Sequence, residues 1–192
     1  MTRKKKRTKM DPMCAFIVFL VVILVLTVAL FVGGRSALKS LYPLRYAEFV
    51  EVYSEENNLS PFFVYAVIKC ESGFDKNAVS NADARGLMQL LPTSFDWLMT
   101  KTGEELSEDM LFDPETSIKY GCLLYGMFIE EFGSEPETVA AYHAGPGNVR
   151  KWLKDERYSH DGKTLYEIPF SKTNAYVERV MKTKAIYEKL YS

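Results

Sequence analysis

The apolar stretch FFVYAVIKCE, residues 62–71, ends on a carboxylate, Glu71, followed at once by Ser72 and Gly73. Moving an unpaired carboxylate out of water is costly, and the usual relief is a raised pKa. A carboxyl tuned upward in this way suits a general acid working near neutral pH. The competing reading is a helix-terminal glutamate solvated at the edge of the core, since glutamate is seldom fully buried. Two further stretches carry polar groups beside glycines. One is the turn Gly86-Leu87-Met88-Gln89-Leu90, and the other is Ala140 to Gly147, AAYHAGPG. Ser72 has no base beside it in sequence, which leaves it a helix-end residue rather than a nucleophile. The two histidines, His143 and His160, are not spaced to converge on a metal, and no glycine-rich phosphate loop is present. Neither a metal nor any other cofactor is expected.

The elements that position these residues read as helices. Tyr46, Phe49, Val50 and Tyr53 recur at helical spacing between Pro43 and Asn57. Ser60-Pro61 starts the next helix with a cap and a first-turn proline. In it Phe63, Ala66, Val67 and Cys70 share one face, with Glu71 at its margin. Asp75 to Arg85 is a polar loop. Gly86 permits a close backbone approach, and Leu87 to Leu91 reads as a short helical turn. Later helices are expected from Pro92 to about Thr102, from Asp113-Pro114 to Phe132 and from Ser134 to about Tyr142. A short helix capped by Asn148 and a last one from about Ser171 to Tyr191 complete the set. Strand signals are nearly absent, so the fold class is all-α.

The segment ESGFDKNAVSNADARGLMQLLPTS resembles the paired "ES" and "GLMQ" motifs of the soluble lytic transglycosylase family, relatives of goose-type lysozyme. AAYHAGPG resembles that family's "AYNAGPG" motif. Ile168-Pro169, Thr173 and Tyr176-Val177 are similar to its closing segment. The chain departs from the pattern at His143, Asp83 and Lys172, where the family usually has Asn, Gly and Glu. The resemblance covers about residues 40 to 190 and implies a lysozyme-like helical domain with a substrate cleft. It implies Glu71 as the catalytic acid, with Ser72, Met88, Gln89, Tyr142, His143 and Tyr176 as substrate-binding residues. Ser72 would contact substrate or orient the glutamate. The implied reaction is peptidoglycan cleavage at the MurNAc-GlcNAc bond, leaving 1,6-anhydroMurNAc ends. A lysozyme-type hydrolase, a non-catalytic cell-wall-binding module and a cysteine peptidase using Cys70 and His143 are the alternatives.

The N-terminal part has a different composition. Arg3, Lys4, Lys5, Lys6, Arg7 and Lys9 form a basic head, and Cys14 to Val32 is apolar except for Thr27. A run of this length suffices to cross a bilayer as a helix, and the charge bias puts the head in the cytoplasm. A cleaved signal peptide is the alternative, although its apolar core would be shorter. The expected organisation is a basic head at 1–13, a transmembrane helix at 14–32, a linker at 33–41 and the lytic transglycosylase domain at 42–192. The expected location is the cell membrane, single-pass, with the domain outside and peptidoglycan glycan strands as partner. Without the six basic head residues and Asp11, 18 Lys+Arg face 24 Asp+Glu, a net charge of −6. That balance argues against nucleic acid as a partner. Three cysteines make no disulfide framework. Cys70 and Cys122 are free to pair outside the cell, or to act as two small buried hydrophobes.

Overall fold

The computed structural model describes residues 11–192 and divides into two units, 1–43 and 44–192. The basic head at residues 3–9 lies outside the described residues. The first unit is one helix, α1 (Pro12–Leu41). Asp11 caps it, its carboxylate accepting from Met13 N at 3.0 Å. Phe19–Leu41, with mean hydropathy 2.3, is long and apolar enough to cross a membrane. The residues expected as a linker, 33–41, are helical instead. Two adjacent glycines do not interrupt the helix, because Ala37, Leu38, Lys39 and Leu41 beyond them are good helix formers.

The second unit holds α2 (Ala47–Glu56), α3 (Pro61–Glu71), α4 (Pro92–Thr102), α5 (Pro114–Phe132), α6 (Glu135–Ala144), α7 (Pro146–Leu153) and α8 (Ser171–Tyr191). A 3₁₀ turn, Glu108–Phe112, precedes α5. Its five residues carry no amphipathic period, which is why the sequence did not announce it. Helix starts follow local chemistry. The Asp113 carboxylate accepts from Thr116 N at 2.9 Å ahead of Pro114. Ser60 stands at the start of α3, but its carbonyl rather than its side chain takes the first amides.

Asn148 does not cap α7. The helix begins earlier, at Pro146, whose ring fixes a helical φ, and Asn148 lies in its first turn. Its amide reaches back to the Ala144 carbonyl at 2.7 Å. The expected helical turn at Leu87 to Leu91 is also absent. Residues 86–89 form a tight turn closed by reciprocal bonds between Arg85 and Leu90, 2.8 and 3.1 Å. Left-handed backbone at Gly86 and Gln89 makes a continuing helix impossible there.

The core is assembled around α3, α5 and α6. α3 packs on α8 and α2, while α6 lies against α5, α7 and α8. Phe63, Val64, Ala66, Val67 and Ile68 of α3 are fully buried, as are Ile118, Tyr120, Cys122 and Tyr125 of α5. Each large apolar side chain removed from water contributes about 1.5–3 kcal/mol. This helix-on-helix packing holds the end of α3, and with it Glu71, in one place. Cys70 and Cys122 are both free thiols. Cys70 donates to the Thr183 hydroxyl on α8 at 3.5 Å, and Cys122 is fully buried.

Candidate active site

Glu71 is the last residue of α3. The chain reverses immediately behind it, with left-handed backbone at both Gly73 (φ 61) and Phe74 (φ 70). A buried phenylalanine in that conformation is unusual and costs about 1–2 kcal/mol. It is held because the Phe74 ring is in the core and its N–H donates to the Ser72 hydroxyl at 3.2 Å. The Ser72 hydroxyl in turn donates to the carbonyls of Leu87, 2.9 Å, and Ile68, 3.2 Å. Of the two roles implied for Ser72, orientation is the one these bonds support. A single hydroxyl fastens the end of the acid's helix to the Gly86–Leu90 turn.

That turn is fastened on every side. Gly86 has φ +76, and a Cβ on it would stand 1.9 Å from the Leu111 carbonyl oxygen. Met88 N donates to the Ser117 hydroxyl of α5 at 3.3 Å, and the Tyr142 hydroxyl of α6 donates to the Met88 carbonyl at 2.6 Å. The Met88 side chain departs from the cleft-lining role expected of it. It is fully buried, packed so closely on α5 that a Cβ at Gly121 would meet its sulfur at 2.3 Å. The Met88 carbonyl is what receives the Tyr142 hydroxyl. Gln89, half-buried, uses its amide nitrogen to bind the carbonyls of Ala78 (3.1 Å) and Gly86 (3.0 Å), closing the polar loop over the turn.

Aromatic side chains connect this frame to the acid. Tyr142 stacks on Tyr125 of α5, with centroids 4.3 Å apart. The buried Tyr176 hydroxyl of α8 donates to Glu71 Oε1 in a short hydrogen bond. Since that proton is used, the Tyr125 hydroxyl, 3.4 Å away, is the donor of its pair with Tyr176. His143 stacks on the Tyr176 ring at 4.8 Å, and its Nδ1 is 3.0 Å from the Thr173 hydroxyl. Glu71, Ser72, Tyr142, His143 and Tyr176 are thus brought together, with Met88 and Gln89 serving as the backing of the turn.

Burial pushes the Glu71 pKa up to about 7. The Tyr176 hydrogen bond and the charge of Arg179 pull in the other direction and do not overcome it. Burial, then the Glu71 charge, raises Tyr176 well above its ordinary value, so the phenol stays a proton donor to Glu71. Sequence reasoning missed Arg179, which lies over the Tyr176 ring at 5.3 Å. Its position three residues after Tyr176 on one helix was the available signal. Tyr125 was also missed. In sequence it is one of several apolar positions of α5, and only packing shows that its hydroxyl meets Tyr176.

Of these residues Tyr142 and His143 reach a cleft of about 650 Å³, whose walls also include Leu91, Trp97, Phe128 and Pro146; Glu71 and Tyr176 lie behind them and are not among its walls. Arg150 and Glu131 form a two-bonded ion pair at the same cleft, 2.5 and 2.8 Å. Apolar and aromatic walls with a few polar groups suit a ligand with both apolar faces and hydroxyls. Among the described residues there is no group of three His, Cys, Asp or Glu side chains that could hold a metal ion.

The chain resembles the soluble lytic murein transglycosylase of Escherichia coli K12, with 32% identity over 154 residues, 78% of this chain and 24% of that protein. It is also 29% identical to the membrane-bound lytic murein transglycosylase C of Pectobacterium atrosepticum, over 59% of this chain and 35% of that one. The chain therefore spans about a quarter to a third of the length of these relatives. Two solved structures share the fold. One is an inactive mutant of the lytic transglycosylase Slt from Pseudomonas aeruginosa, with TM-score 0.70, 29% identity and coverage of 80% of this chain and 25% of that one. The other is the 70 kDa soluble lytic transglycosylase of Escherichia coli, with TM-score 0.71, 28% identity and coverage of 79% and 25%. Residues 48–165 match the family model described as the transglycosylase SLT domain, and the chain belongs to that family.

Proposed function

We propose that this chain is a peptidoglycan lytic transglycosylase, with Glu71 as its catalytic acid and base. The observation that carries this reading is a single half-buried carboxyl, its pKa near 7, bonded to Tyr176, whose ring stacks on the cleft residue His143. Ordinary glycosidase schemes use two carboxylates, about 5 to 5.5 Å apart for retention or 6.5 to 9.5 Å for inversion. Among the described residues the side chains that act on the Glu71 charge are Tyr176 and Arg179, and neither is a carboxylate. The sequence-adjacent candidates, Asp75 and Asp83, are exposed, and Asp83 is paired with Arg85 at 2.9 Å.

One carboxyl suffices when the sugar supplies its own nucleophile. Protonated Glu71 gives its proton to the leaving glycosidic oxygen. The substrate's acetamido oxygen stabilises the positive charge left at the muramyl anomeric carbon. Ionised Glu71 then takes the proton of the same sugar's 6-hydroxyl as that oxygen bonds to the anomeric carbon. The acid is regenerated, no water is consumed and the muramyl product carries a 1,6-anhydro ring. The Tyr176 hydroxyl stabilises the ionised form between the two steps. Ser72, Gln89 and Tyr142 hold the frame, and His143 is the polar group open to substrate at the cleft.

The solved Pseudomonas relative is an inactive mutant in which a glutamate has become a glutamine, which agrees with a glutamate-dependent reaction. The peptidase alternative loses its support, since Cys70 bonds Thr183 while His143 bonds Thr173 and stacks on Tyr176. Digestion of purified wall with the full chain, followed by mass spectrometry, is expected to give muramyl ends one water lighter than ordinary reducing ends. Ordinary reducing ends would identify a hydrolase of lysozyme type, and no cleavage would identify a binding module.

The same proposal holds the protein at the membrane by α1, as a single span with its N-terminus in the cytoplasm and residues 44–192 outside. Support comes from the apolar span at Phe19–Leu41 and the basic head before it, together with a relative named as membrane-bound. Protease added to intact, wall-stripped cells is expected to remove the catalytic domain. Protection of that domain would reverse the orientation.

A further inference from the structure

Beside the cleft lies a second depression of about 570 Å³, bordered by His143, Pro169, Phe170, Ser171, Lys172 and Thr173. His143 forms part of the wall of both. The position is one ring away from the acid, because His143 stacks on Tyr176 and Tyr176 bonds Glu71. Its border carries the positive charge of Lys172, with Arg179, whose charge also acts on Glu71, close by. Lys172 is exposed and makes no ion pair among the described residues, and Arg179 over the Tyr176 ring makes none either. Elsewhere in the domain Lys119, Arg150 and Lys184 are matched with carboxylates at 2.5–2.7 Å. Glu178, the acidic residue nearest Arg179 in sequence, accepts from Asn174 at 2.7 Å. With Nδ1 of His143 engaged by Thr173, its Nε2 is the ring nitrogen left for a ligand. Partial burial, and then the Arg179 and Lys172 charges, lower the His143 pKa. Near neutral pH the ring is therefore uncharged, and an Nε2–H tautomer donates a hydrogen bond without adding charge.

We propose that Lys172 and His143 form a carboxylate subsite that selects glycan strands by the free acid groups of their muramyl substituents. This rests on the transglycosylase reading, in which the reacting sugar at Glu71 is a muramyl residue. That sugar carries a lactyl ether at C3, ending in a carboxylate when bare and in an amide when a stem peptide is attached. The stem peptide brings carboxylates of its own unless they are amidated. Either source presents the same chemistry, a carboxylate a few bonds from the reacting ring. An ammonium and an imidazole N–H are matched to it. The general cleft walls recognise the sugar; Lys172 and His143 decide which decoration is favoured.

The test compares kcat/KM of the full chain in detergent on four substrates: peptide-free strands, the same strands with lactyl carboxylates converted to methyl amides, strands bearing free-acid stem peptides, and strands bearing amidated stem peptides. The wild type is expected to favour a free-acid form over its amide by about two- to fivefold, the upper part of the range for one exposed ion pair. The effect should appear in KM rather than kcat. The first pair reports the lactyl group and the second the stem peptide. Lys172→Glu is expected to bring the ratio to one or below in whichever pair shows it, and Lys172→Arg to preserve it. Equal kcat/KM within both pairs would overturn the subsite while leaving the transglycosylase reading intact. Cleavage of none of the four would overturn both. A Lys172→Glu chain that keeps the wild-type ratio would move recognition away from this depression.

Discussion

Glu71→Gln is expected to reduce turnover on purified peptidoglycan by at least about a thousandfold, within the range of losing a general acid and base together. The amide neither donates a proton to the leaving oxygen nor accepts one from the 6-hydroxyl. The fold should survive, because Gln has the same shape and its carbonyl oxygen still accepts from Tyr176. Stability should even improve at high pH. The folded pKa of Glu71 is about 7 against an ordinary 4.5. Between those values the folded chain holds a proton that the unfolded chain has released. The contribution of Glu71 is therefore most favourable below about pH 4.5 and is lost as pH rises through 7. At about 1.4 kcal/mol per unit, the loss at pH 8 is on the order of 3 kcal/mol. Thermal unfolding of both proteins at pH 4.5 and pH 8 checks this: near-equal Tm at the lower pH, and a higher Tm for the variant at the upper. A variant no more stable than wild type at pH 8 would mean that Glu71 is solvated, and full activity would remove it from the chemistry. For the wild type, turnover should decline above pH 7 as the acid form is lost.

Gly86→Ala is expected to be the most damaging single methyl in the domain. The new Cβ would stand 1.9 Å from the Leu111 carbonyl oxygen and 2.8 Å from the Ser117 hydroxyl. The first neighbour is backbone and cannot turn aside. With φ at +76 the alanine also occupies left-handed backbone, at about 1–2 kcal/mol. Overpacking adds about 1–3 kcal/mol. A total loss of about 2–5 kcal/mol is a large share of the stability of an ordinary domain. Denaturant unfolding measures it directly, and a loss under 1 kcal/mol would show that the turn yields freely. Any folded variant should also be slow, because displacing Leu87 and Met88 pulls on the two carbonyls that receive Ser72 and Tyr142.

Sequence by itself determined the long helices of the domain, the position of the acid at the end of one, and the family. It did not determine the helical course of 33–41, the start of α7 or the turn at 86–89. The features it did determine are local. Apolar spacing, first-turn prolines at 61, 92 and 114, and the glycines at 103 and 133 act within a few residues. The Glu71-Ser72 and Gly86-to-Leu90 patterns are contiguous strings. Tertiary structure decided which way the side chains between them point. Met88 looked like a cleft residue and is core, because left-handed backbone at Gly86 and Gln89 turns the chain and Gly121 on α5 leaves room for its sulfur. Ser72 and the Gln89 amide nitrogen bind backbone carbonyls around the Gly86–Leu90 turn, partners that the string does not name. The raised pKa of Glu71 was one of two open readings. It required the burial that α8 and α5 supply from 105 residues away for Tyr176 and a further aromatic layer at Tyr125. Desolvation is a sum over every neighbour in space, and a linear string records only the neighbours along it.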